Sequence, residues 1–218
     1  KEFTKQQVEK YNYIVDTLEK RALKIPIKHV SNSAAIVDMP EYNFDMVRAG
    51  IMLYGLYPSL YVNHKAVNLK EVMCLKAKVS QVKDIEVGCG VSYGLKYKTE
   101  KKSQIATLPI GYADGFTRML TGKAKVMIKG SKVPIIGNIC MDQCIIDVTG
   151  LDVNIGDEVV LFGGNDSDGI SIDSVANLLN TINYEIVCMV DKRVPRLYIK
   201  DNKEIDFKDY VLILTKEY

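Results

Sequence analysis

The sequence predicts an α/β segment followed by an all-β one: the final strands and helices of a TIM-type (β/α)8 barrel, then a C-terminal, mainly antiparallel β-domain. Three observations predict it. Residues 1–68 run helix, strand, turn, short helix, strand, which is the rhythm of a β/α barrel. From about Leu69 the texture changes to short alternating strands punctuated by glycine, so residues 69–218 read as the β-domain. An intact barrel needs eight strand–helix units and about 250 residues. The first 68 residues have room for the last two units only. We expect the rest of the barrel to lie outside this chain, because an open remnant leaves parallel strand edges unpaired.

The elements follow in order. Thr4-Lys5-Gln6-Gln7 reads as a capping box, with Val8, Tyr11, Val15 and Leu18 behind it at helical spacing and a stop near Arg21–Leu23, before Pro26. A short strand over Ile27–Val30 leads into the Ser31–Ala35 turn, where Ser33 reads as the N-cap of a short helix through Val37. Asp45–Arg48 reads as a second strand and Ala49–Met52 as a turn or helix start. In the β-domain the expected strands are Met73–Val82, Lys102–Leu108, Ala124–Lys129, Val133–Ile136, Ile145–Val148, Glu158–Phe162 and Val194–Ile199. Gly130-Ser131-Lys132 signals a hairpin and Asp201-Asn202 a further turn. One helix is expected to interrupt, over Asp173–Ile182, with Val175, Leu178, Leu179 and Ile182 on a common face.

Composition bounds the function. Apolar residues make up 47% of the 218, enough for real cores, and 29 basic against 27 acidic side chains leave a net charge of +2 that calls for no polyanionic partner. Apolar runs such as Ile51–Tyr57 are too short to span a bilayer, so no membrane contact is expected of this segment. Five cysteines without a CxxC pair read as buried or half-buried thiols in a reducing cytoplasm. Cys140 and Cys144 are four apart, but the chain's two histidines, His29 and His64, are distant from them, so no metal site is expected. We read His29 as a structural residue at a strand end.

Three stretches carry the chemistry. Ser31-Asn32-Ser33-Ala34-Ala35 and Met46-Val47-Arg48-Ala49-Gly50-Ile51 each set small residues and backbone amides beside a polar side chain, as a bound phosphate requires. Arg48, a donor of fixed charge, sits between them. Asn183-Tyr184-Glu185 lies far downstream. Ile110-Gly111-Tyr112-Ala113-Asp114-Gly115 has glycines where a tight turn would present a side chain outward.

Taken with Val91-Ser92-Tyr93-Gly94 and Cys140-Met141-Asp142-Gln143, this ordered set resembles the alanine racemases, pyridoxal 5'-phosphate enzymes, over nearly the whole chain. The resemblance implies that this chain corresponds to the C-terminal part of such an enzyme, which interconverts L- and D-alanine by two-base removal and return of the α-proton and so supplies D-alanine for peptidoglycan. It implies cofactor contacts from Asn32, Ser33, Gly50, Ile51 and Tyr184 on the phosphate side, and from Arg48 at the pyridine nitrogen. An arginine there donates a hydrogen bond but no proton, which restrains the cofactor's electron withdrawal. Tyr93 matches the tyrosine base that serves the neighbouring subunit. A free phenol has a pKa of about 10, so a tyrosine base working near neutral pH needs a lowered value or a hydrogen-bond network. Tyr112 matches the residue narrowing the active-site mouth, and Met141 and Asp142 match residues reaching the neighbour's substrate. A homodimer with two shared sites follows. The cofactor lysine has no match here, so residues 1–218 alone are expected to be inactive.

A pocket shaped by Tyr112, Met141 and Tyr184 suits alanine's methyl group, and methyl-scale discrimination of about 1–3 kcal/mol leaves serine a poor alternative substrate. Three other readings are set against this one. A serine racemase of the vancomycin-resistance type tends to carry a smaller polar residue where Tyr184 stands. A related decarboxylase would offer a cysteine-centred substrate motif. A non-catalytic β-module binding nucleic acid could use Lys96, Lys98, Lys101 and Lys102 with Tyr93 and Tyr97, but acidic residues nearly cancel that charge, and lysines at hairpin tips are usually solvated edges.

Overall fold

The computed structural model describes residues 1–164 and 169–215, the last three by backbone alone. The chain divides into two units, Lys1–Val72 and Met73–Tyr218.

In the first unit, helix α1 (Glu2–Lys20) buries Val8 and Val15, two turns apart on one face. Tyr11, between them, stacks on Phe44 with ring centroids 5.8 Å apart. The expected capping box is absent. The helix starts at Glu2 with Lys1 as N-cap and no side-chain cap, which leaves Thr4 inside the first turn.

The strands expected over 27–30 and 45–48 do not form a ladder. The two segments lie side by side, with the Asp45 N–H donating to Lys28 O (3.0 Å) and the Arg48 N–H to Ser31 O (2.9 Å), but they share only one parallel bridge, Asn32 with Arg48. A short parallel pair without further neighbours gains too little to extend.

Helix α2 (Ser33–Asp38) is capped by Asn32, not by Ser33. The Asn32 backbone is extended and its Oδ1 accepts the Ala35 N–H at 3.1 Å. Ser33 is therefore the first helical residue, and its hydroxyl is available for another partner. A 3-10 turn over Ile51–Tyr54 starts directly after Gly50.

The second unit is built from β1 (Leu75–Lys78), β2 (Gln81–Ile85), β3 (Gly90–Val91), β4 (Tyr97–Lys98), β5 (Ser103–Leu108), β6 (Lys125–Ile128), β7 (Ser131–Ile136), β8 (Cys144–Asp147) and β9 (Glu158–Phe162). Helices α3 (Ile172–Leu179) and α4 (Asn183–Met189), the hairpin β10 (Arg196–Lys200) with β11 (Lys203–Lys208), and α5 (Tyr210–Thr215) complete it.

Seven strands pair antiparallel in the order β1-β9-β6-β7-β8-β5-β2. Strands β1 and β2 stand at opposite edges although only Val79 and Ser80 join them, so the sheet curls until its edges meet. The single strand expected over Met73–Val82 is therefore two, broken where the chain steps between edges. There the Val79 N–H donates to Asp157 O and the Ser80 N–H to Thr107 O, each at 2.9 Å. Inside the curl lie Val126, Ile128, Ile146, Val159 and Leu161, all essentially inaccessible.

The β6–β7 hairpin forms as expected, with its turn one residue earlier. Lys129 and Gly130 take the two positive φ values (47° and 71°), and Ile128 pairs with Ser131. Asp201 and Asn202 make the corresponding turn of the β10–β11 hairpin.

The expected helix over Asp173–Ile182 is shorter, and a second helix follows it. Asn180 adopts a left-handed conformation (φ 55°) that ends α3, and α4 restarts at Asn183. Ile182 therefore leaves the face of Val175 and Leu179, and Leu178, still within α3, is exposed as well. Of the cysteines, Cys144 is buried, but Cys74 and Cys188 are exposed, contrary to expectation. Among the described residues no helix is long and apolar enough to cross a membrane.

Candidate active site

In the first unit the two small-residue loops meet. The Gly50 N–H donates to Ser33 Oγ at 3.0 Å, tying the start of α2 to the start of the 51–54 turn. Ser33 and Ile51 are buried. The Gly50 amide is thus engaged, while the Ser33 hydroxyl can still donate and the first amides of the turn, at Ile51 and Met52, have no intrahelical acceptor. The Arg48 guanidinium donates to Val30 O at 3.1 Å, which fixes one end of the fork. Beside it opens a cavity of about 590 Å³ whose wall includes His29, Asn32, Ala35, Asp38, Tyr42 and Arg48. Ser33, Gly50 and Ile51 do not line this cavity.

His29 Nδ1 is buried and has no hydrogen-bond partner among the described residues. An orphaned ring nitrogen on the wall of a polar cavity implies that something else completes it. The donor set fits pyridoxal 5'-phosphate: an unprotonated pyridine nitrogen only accepts, a guanidinium only donates, and a phosphate takes hydroxyl and amide donors.

The second unit presents four of the expected residues in two clusters. Strand β3 runs into the turn Ser92–Leu95, which holds Tyr93 77% exposed. Ser92 sits at φ 64°, ψ −179° and Leu95 at φ 47°, conformations that cost residues with a Cβ about 1–3 kcal/mol each.

The other cluster joins Tyr112 to Met141 and Asp142. The Tyr112 N–H donates to Cys140 O and the Ala113 N–H to Met141 O, both at 3.0 Å. Gly111 is required by that closeness, since a Cβ there would stand 2.2 Å from Cys140 O. Below it Asp114 is buried, with Oδ2 accepting the Gly111 N–H at 2.8 Å and Oδ1 lying 2.8 Å from Arg193 Nε. Arg193 reaches on to Asp142 Oδ1 at 2.5 Å. That bond to Asp142, more than the Asp114 charge, raises the Arg193 pKa. Residues 139–143 form this loop, and β8 starts at Cys144.

Tyr184 is the second residue of α4 and half-buried. Burial pushes its phenol up, so it keeps its proton and can donate.

The description "Alanine racemase, C-terminal domain" matches residues 72–198, more than half the chain, and "Alanine racemase, N-terminal domain" matches residues 1–58. The chain belongs to the alanine racemase family. Alanine racemase 1 of Clostridium acetobutylicum is 50% identical over 212 residues, 97% of this chain and 55% of the relative. The alanine racemase of Methanococcus maripaludis is 52% identical over 200 residues, 91% of this chain and 53% of its own. Among solved structures, alanine racemase of Clostridium difficile 630 in complex with cycloserine superposes with TM-score 0.92 at 46% identity, covering 96% of this chain and 55% of that one. The Bacillus anthracis alanine racemase with bound L-Ala-P gives 0.91 at 34% identity, covering 97% and 55%. The chain thus spans about half the length of the alanine racemases it matches. The architecture read from the sequence, a closing barrel segment and a β-domain, is the one these alanine racemases share with it.

Two residues of these clusters carry no sequence signal: Asp114 as a buried acceptor, and Arg193. Arg193 lies 51 positions from Asp142, and only the fold brings them together.

Proposed function

We propose that the protein containing this chain is an alanine racemase that interconverts L- and D-alanine with pyridoxal 5'-phosphate. Residues 1–68 would form the C-terminal portion of its cofactor-binding barrel and residues 69–218 its β-domain. The cofactor, when bound, withdraws electrons from the amino-acid α-carbon and so makes its proton removable. The residues of this chain do the rest. Asn32, Ser33, Gly50, Ile51 and Tyr184 form the phosphate side, and Arg48 meets the pyridine nitrogen with a donor that brings no transferable proton. Tyr93 takes or returns the α-proton at its Oη on one face, in the site of the partner subunit of a homodimer. Tyr112, Met141 and Asp142 narrow that partner site to alanine's size. The product serves peptidoglycan synthesis in the cytoplasm, a compartment in keeping with an odd number of cysteines and no CxxC pair.

The observation that carries this reading is the His29–Arg48 cavity beside the joined Ser33 and Gly50 loops, in a chain half identical to named alanine racemases. Relatives carrying cycloserine and L-Ala-P support a small amino-acid ligand. The test is chiral analysis of L-alanine incubated with the full-length protein, with and without added pyridoxal 5'-phosphate. The reading predicts conversion to the racemate that fails when the cofactor is stripped and returns when it is restored. Conversion of serine in preference to alanine, or none of either with the cofactor bound, would overturn it.

A further inference from the structure

The turn that presents Tyr93 is held in a conformation its own sequence does not favour. Of its residues, Ser92, Gly94 (φ 76°) and Leu95 all have positive φ, and only one is glycine. Such a backbone persists where its surroundings over-determine it. Here the surroundings are the loop after β7, with Cys140 Sγ 3.4 Å from the Ser92 hydroxyl and Asn138 making the closest bonds. The Asn138 side-chain amide donates to Tyr93 O at 2.6 Å, and the Ser92 hydroxyl donates back to Asn138 O at 2.7 Å. Asn138 stands two residues past the end of β7, joined to it through Gly137, and is 8% exposed, so the turn is held by a buried residue anchored close to the sheet. Gly137 closes the floor: its φ is 66°, and a Cβ there would meet Ser92 Cβ at 2.7 Å and Val91 O at 2.9 Å. Because most of the Tyr93 ring is open to solvent in this chain, the backbone beneath it and not packing around it determines where the hydroxyl stands.

We infer that Asn138, with Ser92, is a positioning residue for Tyr93: a reciprocal pair of hydrogen bonds that fixes the Tyr93 backbone and so aims its Oη. The inference rests on the reading of Tyr93 as a base. Proton transfer needs donor and acceptor within hydrogen-bond reach, so a turn that wanders by about 1 Å loses rate without losing the base itself. Neither Asn138 nor Ser92 touches the substrate in this account.

The test uses the full-length, cofactor-loaded protein with three readouts: α-deuterium washout from each enantiomer separately, amide hydrogen exchange of residues 90–97, and the same substitution in a Tyr93→Phe background. Asn138→Ala is expected to slow washout about tenfold from the enantiomer that Tyr93→Phe impairs, while the other stays within about twofold and KM holds. Exchange of residues 90–97 should rise, and in the Tyr93→Phe background Asn138→Ala should add nothing. Ser92→Ala removes a single hydroxyl, should fold readily, and should act in the same direction by about threefold. Equal slowing for both enantiomers, a further loss in the Tyr93→Phe background, or unchanged amide exchange in both variants would overturn the inference. Symmetric losses in Tyr93→Phe alone would instead overturn the base assignment, and the exchange measurement would still decide whether Asn138 holds the turn.

Discussion

Arg193 Nε lies 2.8 Å from Asp114 Oδ1, and the same guanidinium meets Asp142 Oδ1 at 2.5 Å. One side chain thereby braces the two loops that carry Tyr112 and Met141-Asp142. The flat guanidinium offers Nε to one carboxylate and Nη2 to the other in fixed geometry, which a single ammonium nitrogen does not reproduce.

Arg193→Lys should therefore leave the fold intact and loosen the 139–143 loop. In the full-length protein we expect KM for alanine to rise about fivefold with a smaller change in kcat, the pattern of lost substrate binding. Arg193→Ala should do this and also lower Tm, because Asp114 keeps its buried carboxylate without a cation. Steady-state kinetics and a melting curve check both. An unchanged KM in both variants would show that the brace does not matter to the substrate.

Asp157 gives a pH dependence whose sign is fixed. Its carboxylate accepts the Asn154 N–H at 2.7 Å and lies 3.0 Å from Lys129 Nζ, and these, the backbone bond first, hold its pKa below the usual value. A carboxyl depressed in the folded state binds fewer protons than in the unfolded chain, so its stability contribution is present above the unfolded value of about 3.9 and lost as pH falls through the folded one. Asp157→Asn should flatten that acid limb and leave the neutral-pH pH dependence alone. Chemical denaturation at pH 3 to 7 for both forms measures it.

Cys144 is predicted to be silent to thiol reagents. Burial, the largest cause, with Cys140 and Asp114 nearby, pushes its thiol up to about 12. The thiolate is the nucleophile, so at pH 8 iodoacetamide should modify exposed Cys74 and Cys188 first and Cys144 only after unfolding. Peptide mass spectrometry with time reads the order. Because the folded value lies above the unfolded one, this group also lowers stability as pH rises from about 9 toward 12.

Much of this molecule was legible because local signals carried it. Gly130-Ser131-Lys132 marked one hairpin to within one residue, the turn falling at Lys129-Gly130, and Asp201-Asn202 marked the other. Motif wording singled out Tyr93, and also Tyr112 and Met141-Asp142, whose two loops backbone hydrogen bonds join. Cap choice at Asn32-Ser33 was not legible, since both side chains cap well and the decision came from Gly50, 17 residues away, which engages the serine. The step from β1 to β2 hides inside one alternating run, because sheet curl leaves no mark on hydrophobic alternation. Asn180 could have signalled the break before α4, as asparagine tolerates the left-handed conformation that ends a helix. Asn138 had no local signal, because its partners are 45 and 46 residues away.

We expect each chain to grip its own cofactor with Ser33 and Arg48 and to lend Tyr93 to the partner's site. Subunit complementation tests it directly. Full-length Arg48→Glu and Tyr93→Phe proteins, each nearly inactive, are unfolded, mixed in equal amounts and refolded, and alanine racemisation is assayed. If sites are shared, half the dimers are mixed and each has one intact site, so activity returns to about a quarter of wild type. A mixture no more active than its two components would contradict the account.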